Sequence, residues 1–136
     1  MLIVPYIQSD GLRLNRVMLC WDGSRNAARA IADAHPFLAR AKAIELVTVS
    51  RDVKNEELRD ADIARNLARH HLKVEFKNIV AADLDVPNAI LSHAADTSAD
   101  FIVMGGYGHS GMREFILGGA TRRILATMTV ATLMSH

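Results

Sequence analysis

Short, β-rich apolar runs alternate with helix-like patterns along this chain, and that alternation leaves few folds open to it. Val17-Met18-Leu19-Cys20-Trp21 is apolar throughout, as a strand covered on both faces should be. Helical spacing follows at Ala27, Ala30, Ile31, Ala34 and Leu38, with Asp22 or Ser24 placed to cap the start through a side-chain oxygen. Residues 44–49 read as a second strand and 52–57 as a polar loop. A second helix carries Leu58, Ala61, Ala64, Leu67 and Ala68, and Val74–Val80 forms a third strand. Pro87 suits the first turn of a third helix, where its missing N–H costs nothing; Ile90, Leu91, Ala94 and Ala95 give that helix its buried stripe. Residues 101–104 are the clearest strand. A glycine-rich segment then leads into a last helix with Leu117, Ala120, Ile124, Leu125 and Met128, and 129–134 close as a fifth strand.

The order βαβαβαβαβ predicts an α/β fold, a single doubly wound domain whose parallel sheet carries helices on both faces. Right-handed crossovers restrict the arrangement further, and ligands of such sheets sit beyond the carboxyl ends of the strands. Asp22 and the segment from Gly105 both fall at such ends. Residues 1–15 stand apart as an N-terminal arm or linker remnant, leaving 16–136 as the domain; Leu2-Ile3-Val4-Pro5 reads as the end of a strand.

The chain of 136 residues is half apolar and 23% charged, which is the composition of one packed domain rather than a disordered chain. A net charge of +1 with no run of like charge argues against nucleic acid as a partner. The single cysteine, Cys20, forms no internal disulfide or CxxC site and reads as a small buried hydrophobe. The apolar start at residues 1–7 is too short to span a bilayer and has no signal-peptide features. The expected location is the cytoplasm, with no membrane partner.

The chemistry concentrates after Met104. Four glycines stand between 105 and 111, after a strand and before a helix. Glycine has no Cβ to block a ligand and tolerates positive φ, and successive amides at a helix start make a cradle for phosphate. His109, Arg113, Arg122 and Arg123 supply cations nearby. A ligand-free glycine-rich connector is the other reading of the same residues. The match of residues 106–111 to GxGxxG follows the fourth strand rather than the first, and no acid follows Glu114, so a dinucleotide-binding dehydrogenase is disfavoured. The chain has no Gly-Lys-Ser or Gly-Lys-Thr, which excludes a Walker loop.

Gly105-x-x-Gly108, nine residues and then Gly118 resembles the signature loop of ATP-binding members of the universal stress protein family. Trp-Asp-Gly-Ser at 21–24 and the run from Ala99 to Gly105 are similar to that family's first and fourth strand ends, and the similarity covers roughly residues 16–136. It implies a five-stranded parallel sheet in the order 3-2-1-4-5. It also implies a stress-response regulatory protein that binds ATP or a related adenine nucleotide, with or without Mg2+. Asp22 would accept from the adenine region and Val49 would flank the base, while the amides of Gly105, Gly108, His109, Gly118 and Gly119 would face ribose and phosphates. The family's Ser or Thr after the last glycine is replaced by Gly119. The amide remains and the hydroxyl is lost, at a cost of roughly 1.5–3 kcal/mol if that bond is charge-assisted. This departure favours the alternative, a ligand-free dimerisation or interaction domain of the same family.

Many such proteins dimerise through the last strand, so a homodimer through the fifth strand, 129–134, is expected. That strand would be an edge and has no Pro, Lys or Glu to discourage pairing. The arm resembles the closing strand of a preceding domain, as in the second half of a tandem member, and competes for the same edge. No general base stands beside the loop and no carboxylate pair suits Mg2+, so a non-enzyme with at most slow nucleotide hydrolysis is expected. His70 and His71 read as solvent-facing, His35 and His93 lack partners at metal-ligand spacing, and Trp21 reads as packing rather than as a base-stacking platform.

Overall fold

The computed structural model describes residues 2–5, 11–23, 25–50, 57–80, 86–105 and 129–135. Their elements run β1 (Leu2–Ile3), β2 (Arg16–Cys20), α1 (Arg25–Asp33), α2 (His35–Leu38), β3 (Ala43–Ser50), α3 (Glu57–Arg69), β4 (Val74–Val80), α4 (Val86–Asp96), β5 (Phe101–Gly105) and β6 (Ala131–Ser135). The expected last helix lies outside the described residues.

The strands form one sheet in the order β1-β6-β5-β2-β3-β4. The pairings of β2 with β3 and β5, of β3 with β4 and of β5 with β6 are all parallel. Counted from β2, these five strands stand in the expected order 3-2-1-4-5. The expectation of five strands is corrected to six among the described residues. The arm contributes β1, which pairs antiparallel with β6 through Leu2 with Leu133 and Ile3 with Thr132. An edge strand with open amides and carbonyls recruits any extended apolar segment in reach, and the arm is such a segment. The edge of β6 expected to meet a second chain is therefore taken at Thr132 and Leu133 within the chain itself.

Alternation along the strands divides the core into two layers. Val17, Leu19, Leu46, Phe101 and Val103 face Ala30, Ile31, Leu38, Ile63 and Leu67 of α1, α2 and α3. Met18, Cys20, Val47, Ile102 and Met104 face Ile90 and Ala94 of α4. Because helices cover both faces, β5 is buried at every position and β2 at all but Arg16, which is why these runs read as continuously apolar.

The helical pattern expected from Ala27 to Leu38 is broken. Helix α1 ends at Asp33, and α2 begins anew with Pro36 in its first turn. Proline cannot donate to the carbonyl four residues back and its ring crowds that carbonyl, so the periodicity continues while the helix does not. Helix α3 begins at Glu57, where a loop was expected.

Candidate functional site

The carboxyl ends of β2, β3 and β5 lie side by side. Cys20 is level with Val47, and the Trp21 amide donates to the Val47 carbonyl at 2.9 Å, so the β2–β3 pairing continues past the end of β2. Two residues on, the same register sets Asp22 level with Val49. On the other flank Leu19 is level with Val103, which sets Trp21 level with Gly105. Strand β2 is the point where the strand order reverses, with β3 on one side and β5 on the other; crevices of doubly wound sheets open at such a point. Asp22, Val49 and Gly105 thus share one end of the sheet.

Asp22 is exposed and Val49 half-buried, with Val49 packed against the layer that holds Cys20 and Val47. Burial pushes the Cys20 thiol up to about 12, and the charge of Asp22 adds to the rise. This keeps Cys20 a protonated, inert core side chain. Gly23, directly after Asp22, has φ +77°. That left-handed backbone favours glycine and turns the chain from β2 into α1.

Gly105 has a reason that the sequence reading did not contain. A Cβ at this position would run into the Ala27 amide nitrogen, with the Asn26 carbonyl carbon at 2.6 Å and Ala27 Cα at 2.9 Å. The first turn of α1 lies directly on the end of β5, so glycine here permits helix and strand to touch. The contact also sets the N-terminal turn of α1 at the same end of the sheet as Asp22 and Val49. Gly108, His109, Gly118 and Gly119 lie outside the described residues, as do Arg113, Arg122 and Arg123.

Trp21 is packed against the α1–α3 layer, as expected. Its indole Nε1 is buried with no hydrogen-bond partner among the described residues. His70 and His71 are exposed, and the His70 ring meets that of His35 at a tilt of 56° with centroids 4.1 Å apart.

At the opposite end of the sheet stands a polar cluster that sequence reasoning missed. The Glu45 carboxylate, 6% exposed, meets His93 Nε2 of α4 at 2.9 Å through one oxygen. Its other oxygen accepts from Arg16 Nη2 of β2 at 3.3 Å. Asp100 accepts from the Asn15 and Arg16 amides at 3.1 and 3.0 Å. A buried carboxylate is tolerated when paired and hydrogen-bonded, and here the pairing ties α4 and β2 to β3. The available signal was a lone acid inside the apolar strand Ile44-Glu45-Leu46-Val47. His93 therefore has a partner, though not a metal-ligand set; among the described residues no three His, Cys, Asp or Glu side chains group as a metal site.

A doubly wound α/β domain whose strand order reverses between β2 and β5 is the class these features define. The sequence profile of the universal stress protein family matches residues 13–136, and the chain belongs to that family. No curated protein sequence matches it. Among solved structures, a universal stress protein in complex with cAMP superposes with a TM-score of 0.66 at 17% identity, over 90% of this chain and 97% of that one. A universal stress protein from Archaeoglobus fulgidus gives 0.66 at 21% identity, over 90% of this chain and 44% of the other. A family member from Burkholderia pseudomallei gives 0.63 at 20% identity, over 89% and 95%.

Proposed function

We propose that this protein is a regulatory domain that binds an adenine nucleotide, ATP or a related one, in the crevice at the carboxyl ends of β2, β3 and β5. The observation that carries the proposal is the parallel register of β2 with β3 and β5, which brings Asp22, Val49 and Gly105 to the same end of the sheet, directly before a segment with the glycine spacing of a phosphate cradle. Asp22 would accept from the base, Val49 would pack on its flank, and the amides of Gly105, Gly108, His109, Gly118 and Gly119 would face ribose and phosphates. A structural relative solved with cAMP supports a nucleotide as the ligand class. Mg2+ would accompany a triphosphate as its counter-ion. The reading is of a binding protein with at most slow hydrolysis, acting in the cytoplasm. Among the described residues no helix is long and apolar enough to cross a membrane. A homodimer through the β6 edge would have to engage or displace β1.

Calorimetric titration of the folded chain with ATP and with AMP tests the proposal. Saturable binding of at least one of them is expected, weakened by about tenfold in Asp22→Ala, the effect of losing one hydrogen bond of about 1.4 kcal/mol. Silence with both nucleotides at millimolar concentration would overturn it.

A further inference from the structure

The two edges of the sheet differ. One ends in β1, two residues long. The other ends in β4, which pairs with β3 over all seven of its residues and has no neighbour on its outer side among the described residues. On the α3 face of β4, Val74 packs under the core, whereas Phe76 is 50% exposed and Val80 51%. A long, open edge with large apolar side chains is a surface for pairing with another chain, unless charges guard it. Glu75 and Lys77 are the charges here, both exposed.

These charges select a partner. When a strand pairs antiparallel with its own copy and the helical layers stay on their own faces, even-numbered residues meet even and odd meet odd. A two-fold axis at Lys77 would set lysine against lysine, and one at Glu75 would set glutamate against glutamate. An axis at Phe76 sets Glu75 against Lys77 of the second copy, and Lys77 against its Glu75. In that register the two exposed Phe76 rings meet on the α3 face, with Val74 opposite Asn78 on either side. Cross-strand pairs of opposite charge and of aromatic rings are favourable, and like charges directly opposite are not. The charges that exclude the neighbouring registers therefore fit this one.

We propose that the β4 edge is a self-complementary interface, through which two copies of this chain join into one continuous sheet about a two-fold axis at Phe76. The contact is isologous, so it closes at a dimer. The strands run antiparallel across it, so the carboxyl-end crevices of the two copies open at opposite ends of the pair. The proposal is independent of nucleotide binding.

Charge reversal tests it on the full chain. Sedimentation equilibrium should show a monomer–dimer equilibrium for the native chain. Glu75→Lys and Lys77→Glu should each raise the dissociation constant about tenfold or more, since both cross-strand pairs become repulsive. Mixing the two variants in equal amounts should restore association, because each then meets the other's opposite charges. Both side chains are exposed, and circular dichroism checks that each variant is folded. A native chain that stays monomeric at millimolar concentration overturns the proposal. So does a dimer that both single variants leave unchanged, a result that would assign pairing to the β1 edge. Variants that dissociate but do not re-associate on mixing contradict the register at Phe76.

Discussion

At the scale of single residues, this domain depends on where a side chain is absent as much as on where one is present. Gly105 admits the first turn of α1 onto the end of β5, and a Cβ there would meet backbone atoms that cannot rotate away. Gly105→Ala should therefore destabilise the fold by about 2 kcal/mol, the usual range for overpacking, read as a lowered midpoint in denaturant unfolding. An unchanged midpoint would mean that α1 shifts at no cost. The glycine was legible in the sequence, but its steric reason was not, because the helix it meets lies far from it along the chain. Asp22 was legible as the residue that ends an apolar run, whereas Val49 was singled out only through the family resemblance. Glu45 was not read, since an isolated acid in a strand shows no partner until α4 is laid across the sheet.

At the scale of elements, the joints between helices hold what periodicity could not show. Pro36 divides one apolar stripe into α1 and α2, and the short α2 brings His35 against His70, which follows α3. Burial, and then the charge of His70, hold the His35 pKa below its ordinary 6.5. The folded chain thus favours neutral His35. The associated stability is present above pH 6.5 and is lost as pH falls from there through the folded pKa. Thermal unfolding over a pH series should show native stability falling more steeply below pH 6.5 than that of His35→Gln. Parallel curves would remove His35 from the acid response. The arm shows a different limit of sequence reading. Leu2-Ile3-Val4-Pro5 was readable as extended chain, but its place on β6 is a long-range pairing, which no local pattern encodes.

At the scale of the whole molecule, the sheet separates its tasks by end and by edge. One end has the polar ties of Arg16, Glu45, His93 and Asp100 that fasten a helix and neighbouring strands. The other gathers Asp22, Val49 and Gly105 at the switch point. The alternation of strands and helices made the doubly wound architecture legible, because right-handed crossovers leave few other arrangements; the strand order came from the family resemblance. The central claim is that a nucleotide enters at the carboxyl end. The chain has a single tryptophan, and Trp21, level with Gly105, has a buried indole N–H with no partner among the described residues. It gives one resolved indole resonance beside the proposed crevice. The most direct test is an amide and indole NMR titration of the isotopically labelled chain with ATP or AMP. Saturable shifts at Trp21, Asp22, Val49 and Gly105, with the amides of Arg16, Glu45 and His93 left in place, are the predicted result. Shifts centred on the Glu45 end, or none at saturating nucleotide, would contradict it.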